Sequence, residues 1–229
     1  MPMRGTSAFS VVVILTLCAA QAVAGSGDGG EGKEERWTLF PTGSLYPGYI
    51  ADPQRSGFGL TVLSFSETSV PSAGDLRFQL SLGGRFGVLG YDPPGVPKWH
   101  LQLGFEANFT GQFDIDNSLD NLGWDGVYGL QLEGVRSDGA AFKIGTRHTS
   151  SHVGDEYAER TGRERIGYTR EELVAAFSWL PHPNLRSYVE AGWAYGRGNE
   201  TLQDEARVQT GLEYCSSARP VLRRWDWYV

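Results

Sequence analysis

Residues 101–109 read Leu-Gln-Leu-Gly-Phe-Glu-Ala-Asn-Phe, with an apolar side chain at every odd position and a polar residue or glycine at every even one. A period of two sends alternate side chains to opposite sides of a strand, so the segment has one apolar face and one polar face. The pattern recurs over 76–91, 124–136, 141–150, 169–180, 185–196 and 205–214, and more faintly over 57–64. Eight strands are expected, most of them near the roughly 10 residues that a tilted strand needs to cross a bilayer. The polar faces carry Arg77, Arg85, Glu106, Gln131, Glu133, Lys143, Arg147, Glu190, Arg207 and Glu213; the apolar faces carry Phe142, Ile144, Leu173, Phe177, Trp179, Val189 and Trp193. A small soluble barrel would turn its apolar face inward. Here the polar face is glycine plus charges of both signs, which suits an enclosed wet lumen. The expected fold class is all-β, an antiparallel transmembrane β-barrel of at least eight strands. Arg85, Lys143, Arg147 and Arg207 are expected to pair with Glu106, Glu133, Glu190 and Glu213 across strands and so fill the lumen.

The ends of the chain fix its address. Arg4, the apolar stretch 8–20 and the small-x-small triplet Ala22-Val23-Ala24 predict a secretory signal peptide over 1–24. No later segment approaches the roughly 18 apolar residues of a spanning helix. The expected location is the outer membrane of a Gram-negative-type envelope. Residues 25–36 hold five glycines and no apolar side chain, which predicts a flexible leader. In 37–54, Pro41, Pro47 and Pro53 alternate with Phe40, Tyr46 and Tyr49. Proline at that spacing bars both helix and ladder strand, so an irregular periplasmic segment is expected, packed against something else. The barrel is assigned to 55–214. The alternation fades over 215–229, an atypical tail that leaves two expectations open: eight strands close the barrel, or the barrel is C-terminally incomplete. With Cys18 in the signal, Cys215 stands alone and no internal disulfide is expected. A net charge of −7 argues against nucleic acid. The expected partners are outer-membrane lipids, with no soluble protein partner.

Connections at 92–99, 137–139 and 181–184 are mostly tight; those at 66–75, 114–123, 151–168 and 197–204 are generally longer and more polar. Short periplasmic turns alternating with longer surface loops are the habit of outer-membrane barrels. That direction places Trp124, Tyr128 and Trp193 at the outer interface and Trp179 and Tyr214 at the inner one, as two aromatic girdles. The segments Phe-Pro-Thr-Gly-Ser-Leu-Tyr-Pro-Gly-Tyr-Ile-Ala-Asp-Pro (40–53) and Arg-His-Thr-Ser-Ser-His-Val-Gly-Asp-Glu-Tyr (147–157) resemble a bacterial family known as domain of unknown function twelve-oh-seven. The resemblance covers about 37–214. It implies an exported, outer-membrane β-barrel and brings no established activity.

Three constellations have the residue types for chemistry. His148 and Ser150, two apart on one strand, share the lipid-facing side at its outer end, where an imidazole can take a hydroxyl proton. Glu171, on the same face of the next strand, is the candidate orienting acid, with Asp155 and Glu156 as rivals. This His-x-Ser arrangement is similar to that of outer-membrane phospholipase and lipid A deacylase, and it implies a serine lipid esterase; the asparagine that follows the serine there is replaced by Ser151-His152. The plainer reading is a binding and loop-ordering cluster of Arg147, His148, His152, Asp155 and Glu156. These donors do not form a metal site on a strand, because a four-residue histidine spacing aligns on a helix, and nothing predicts helix here. Asp114, Asp116, Asn117, Asp120 and Asp125 offer oxygens for calcium but lack the glycine and terminal glutamate of a calcium loop, so no cofactor is expected and a solvated loop is. Arg160, Arg163 and Arg165 with Glu159 and Glu164 offer cations for lipopolysaccharide phosphates, although mixed charge of this kind more often marks a soluble loop. The readings left open are a barrel of unassigned role, a lipid esterase, and a passive pore or uptake protein.

Overall fold

The computed structural model describes residues 35–50, 52, 56–65, 68, 70–94, 99–199 and 204–214. The expected signal peptide, leader up to residue 34, tail and Cys215 lie outside them. The described residues form nine strands and one short helix: β1 (Arg36–Leu39), β2 (Gly59–Ser64), β3 (Leu76–Asp92), β4 (Trp99–Asp114), β5 (Asp120–Arg136), β6 (Ala141–Val153), α1 (Asp155–Thr161), β7 (Gly167–His182), β8 (Leu185–Arg197) and β9 (Ala206–Tyr214). All pairings are antiparallel, and β3 to β9 follow one another in chain order. β1 and β2 share one lane beside β3, β1 against its end at Leu89–Asp92 and β2 against its start at Leu76–Ser81.

Each strand foreseen from the alternation is present, and β4, β5 and β7 run well past the pattern, to 16 or 17 residues. Two elements were not foreseen. β1 lies in the proline-rich region, but it ends before Pro41, so every backbone N–H it needs is available. α1 interrupts the expected loop 151–168. Asp155 and Glu156 sit in its first turn, Arg160 in its last, and Gly162 closes it at φ 67°. Period-two reading is blind to a two-turn helix whose signals are all at its ends.

The two faces of the sheet carry opposite chemistry. Phe86 (58% exposed), Leu130, Leu132, Phe177, Val189 and Val208 (73%) stand outward, whereas Arg85, Gln102, Gln131, Glu133, Lys143, Glu172 and Glu190 are buried on the other face. The apolar core is small: Tyr46, Tyr49, Ala141 and Ala176, with Val135 and Tyr188 packed on them. Charge, not hydrocarbon, fills the inside.

The proline-aromatic segment 40–50 is what that inner face closes upon. Its backbone and side chains bond to β4, β5, β8 and β9, and Arg85 reaches it from β3, a span possible only if the sheet curls around it. At Gly87 the approach is so close that an added Cβ would lie 2.5 Å from the Pro41 ring. The sheet is nonetheless open: among the described residues β9 pairs only with β8, and no ladder joins it to β1 or β2. Eight closed lanes leave an interior that side chains alone fill. A stretch of main chain inside demands a wider curve.

Glu133 is the chief anchor of this segment. It is 2% exposed and accepts from Ser44 Oγ (2.7 Å), Leu45 N (2.7 Å), Tyr46 N (3.1 Å) and Arg85 Nη2 (3.0 Å). Removing one partner of a buried pair costs roughly 3–5 kcal/mol because its counterpart is stranded. Glu133→Ala should destabilise the protein by about 3 kcal/mol in equilibrium chemical unfolding, and a loss below about 0.5 kcal/mol, the scale of an ordinary surface change, would contradict the anchoring role.

Candidate functional site

The interior is a continuous polar network. Lys143 Nζ meets Glu190 Oε2 at 2.7 Å, Arg207 bridges Glu190 (2.7 Å) and Glu172 (2.8 Å), Arg170 joins Glu172 at 3.0 Å, and Arg186 meets Glu213 at 2.9 Å. Arg85 lies 3.0 Å from Glu133 and 3.9 Å from Glu106. The expected pairing of basic with acidic residues of the inner face is thus present, with three partners the alternation had not singled out: Arg170, Glu172 and Arg186. Arg170 and Glu172 sit on the inward parity of β7 and Arg186 on that of β8, so the alternation carries the signal for all three.

Segment 40–50 ties into this network along its length. Tyr49 Oη donates to Glu190 Oε2 at 2.7 Å and lies 3.2 Å from Tyr46 Oη; the Tyr49 ring stacks on Tyr188 at 4.3 Å. Arg186 donates to the carbonyls of Gly48 (2.9 Å) and Pro47 (3.1 Å), Gln102 to that of Gly43 (2.9 Å), and Arg85 to that of Tyr46 (2.6 Å). Glu213 accepts from Ile50 N at 2.8 Å. The carbonyls and amides that proline leaves without ladder partners are thus satisfied by side chains of the wall. A small polar chamber remains beside it, lined by Tyr49, Asp52, Ser56, Arg85, Glu106, Lys143 and Arg147.

At the long-loop end the acidic residues are structural. Asp114, fully buried, accepts from Gly74 N (2.8 Å), Asn117 Nδ2 (2.8 Å) and Asp116 N (3.1 Å), and Asp116 accepts from Leu76 N (2.9 Å). Asp120 pairs with Arg160 at 2.5 Å, and Asp125 accepts from Ser151. The solvated loop expected here is instead a knot of carboxylates spent on backbone donors. No group of three or more His, Cys, Asp or Glu side chains arranged to hold a metal occurs among the described residues.

The outward cluster comes together differently from its expected form. His148 and Glu171 are direct cross-strand neighbours, and His148 Nδ1 bonds the Glu171 carboxylate. Ser150 Oγ instead lies 2.7 Å from His152 Nε2. Each imidazole is held flat by an aromatic neighbour, His148 against Tyr128 (4.5 Å) and His152 against Trp124 (4.4 Å). The strand therefore presents a serine–histidine pair and, one row away, a histidine–carboxylate pair. Arg147 is not with them. It belongs to the opposite parity and lines the inner chamber, while Asp155 pairs with Arg165 at 3.2 Å and Glu156 is exposed on α1. What orders the loop is α1 itself, through Tyr157 Oη to Pro71 O (2.7 Å) and Arg160 Nη1 to Ser72 O (2.8 Å).

A scan against protein-family models and searches of curated proteins and of solved structures return no match. The likeness to family twelve-oh-seven rests on its two quoted segments alone.

Burial pushes the Tyr46 hydroxyl up from its ordinary value; burial, the bond with Tyr46 and the Glu190 carboxylate push Tyr49 higher still. A phenol whose folded pKa is raised stabilises the fold fully below its unfolded value near 10 and ceases to as pH rises through the folded value. Unfolding midpoints measured from pH 8 to 12 should fall as pH passes about 10, and Tyr46→Phe/Tyr49→Phe should fall less steeply. Equal slopes would show that these hydroxyls are not sealed against the wall.

Proposed function

We propose that this chain is an outer-membrane β-barrel protein whose interior is stoppered by its own segment 40–50, leaving the outer face and the loop end as its working surfaces. One observation carries the reading: the inverted distribution of side chains, with aliphatic and aromatic groups on the solvent side of the sheet and paired charges enclosed. In water, an exposed apolar surface of this extent would associate. In hydrocarbon, it is the favourable arrangement, because the curled ladder also satisfies most backbone groups. Exposed aromatics at both ends of the strands, Trp193 and Tyr195 towards the loops and Trp37, Trp179 and Tyr214 towards the turns, fit two interfacial belts. The packed interior argues against the pore reading. Segment 40–50 and the ion pairs around it occupy the space an ion would need.

A specific contact favours a second reading, lipid esterase chemistry at the outer leaflet. Ser150 and His152 are at hydrogen-bonding distance and both are accessible from outside. In that reading Ser150 is the nucleophile, and the structure brings His152, not His148, to its hydroxyl, while the His148–Glu171 pair lies in the adjoining row. No side chain described here orients the second nitrogen of His152 as a triad acid would. The barrel without catalysis is therefore the stronger reading.

Flotation with phosphatidylcholine vesicles tests membrane insertion. The wild type should float, and Leu130→Arg, which puts a cation mid-strand on the outer face, should weaken insertion by about 2–4 kcal/mol. A monodisperse, detergent-free protein that stays with the soluble fraction would overturn the reading. Planar bilayers should show no current above background for the wild type. For the esterase reading, membrane lipids incubated with wild type but not with Ser150→Ala should lose acyl chains; intact lipids in both would end it.

A further inference from the structure

Segment 40–50 carries no charged side chain, although it lies against the paired charges of the inner face. Each carboxylate that grips it also has a cationic partner in the wall. Glu133 keeps Arg85 at 3.0 Å, Glu190 keeps Lys143 and Arg207 at 2.7 Å each, and Glu213 keeps Arg186 at 2.9 Å. Breaking a buried ion pair is costly because one charge is left stranded. Withdrawing this segment breaks no ion pair, and water entering behind it can take over the hydrogen bonds of its amides, carbonyls and hydroxyls. The wall is neutralised without its stopper.

Chain length allows the same movement. Leu39 of β1 lies opposite Leu89 of β3 and Gly59 of β2 opposite Ser81, so seven residues of β3 (82–88) separate the two attachments, while nineteen (40–58) join them. That excess lets the segment leave without unzipping either strand. It begins at Phe40, which is 77% exposed and holds φ at 49°, a left-handed conformation that strains a bulky L-residue. The next residue passes Gly87 of the wall. A Cβ there would lie 2.5 Å from the Pro41 ring and 2.6 Å from the Pro41 carbonyl, so the docked position depends on that glycine.

We infer that segment 40–50 is a releasable gate: it undocks as a unit, hinged at Phe40, while β3 to β9 stay paired, and it bares Glu133, Lys143 and Glu190 to water and small polar solutes. The inference rests on the stoppered interior proposed above and not on residence in a bilayer. Release gives up the hydrogen bonds to the wall and the stack of Tyr49 on Tyr188. It leaves the strand ladders intact, so its free energy is smaller than that of global unfolding.

The test is native-state hydrogen exchange, read by mass spectrometry on the purified full chain in whichever medium, aqueous or detergent, keeps it monodisperse, with urea raised in steps below the unfolding transition. The amides of Leu45, Tyr46 and Ile50 bond to wall carboxylates and report release directly. They should exchange at least about tenfold faster than the ladder amides of β4 and β5, and with a weaker dependence on urea. Equal rates and equal urea slopes would overturn the gate, because the segment would then leave only when the whole fold does. Gly87→Ala removes no charge and no backbone hydrogen-bonding group. It should speed exchange of the segment by at least about tenfold, through the collision with Pro41, and leave β4 and β5 unchanged. Tyr49→Phe deletes one bond to Glu190, whose two cations remain, and should speed the segment by at least about tenfold with the strands again unchanged. Strands that speed up in step with the segment in both variants would overturn the gate. Flotation keeps the two readings apart: a chain that does not float but shows separate exchange of the segment loses the bilayer and keeps the gate, and a chain that floats with segment and strands exchanging together does the reverse.

Discussion

A carboxylate withdrawn from water must be met by donors, and Glu133 shows how much of this fold follows from that demand. It is sealed against solvent and takes four donors, three from segment 40–50 and one from Arg85. Without the segment, its charge would be buried against one guanidinium. Without Glu133, two backbone amides freed by irregular, proline-rich chain would have no acceptor. Wall and stopper are each other's solvation. The same reciprocity holds at Glu190 with Tyr49, at Glu213 with Ile50 and at Arg186 with two carbonyls. Cohesion here is electrostatic and geometric, and the little apolar core that exists is made mainly by Tyr46 and Tyr49 of the stopper itself.

This arrangement explains why the sheet faces the way it does. A sheet whose charged side is paid for by an internal segment has no reason to turn that side to water. Its apolar side is then the one left outside. Two regions inherit these environments: a buried polar interior towards the short-turn end, and an outer surface where aromatics, two imidazoles and a serine gather towards the loops. The second region is the one that is both accessible and chemically mixed. The α1 loop above it is braced by Tyr157 and Arg160, which gives the outer cluster a fixed rim.

Much of this was legible in the alternation, and particular residues mark its limits. Inward parity correctly grouped Arg85, Glu133, Lys143 and Glu190, because side-chain direction on a strand is set by backbone geometry alone. It also placed His148 and Glu171 on the same face of successive strands, and the register then made them neighbours. It did not reveal that Ser150 would turn to His152. That choice depends on Trp124 and Tyr128 fixing the two rings, which are contacts from another strand. Nor did it reveal α1, whose seven residues are defined by a positive-φ glycine and end charges, or Asp114's burial, which depends on Gly74 coming from 40 residues away.

The sequence by itself determined the eight longer-range alternating strands, their faces and the irregularity of segment 40–50, since each follows from local periodicity or from proline's missing N–H; it did not show β1. Only the tertiary structure decided where that segment goes, that β9 pairs with β8 alone among the described residues, and which imidazole lies at Ser150. Those outcomes depend on which distant strands come to lie side by side, and no local pattern encodes the distance between groups that meet only after the sheet has curled.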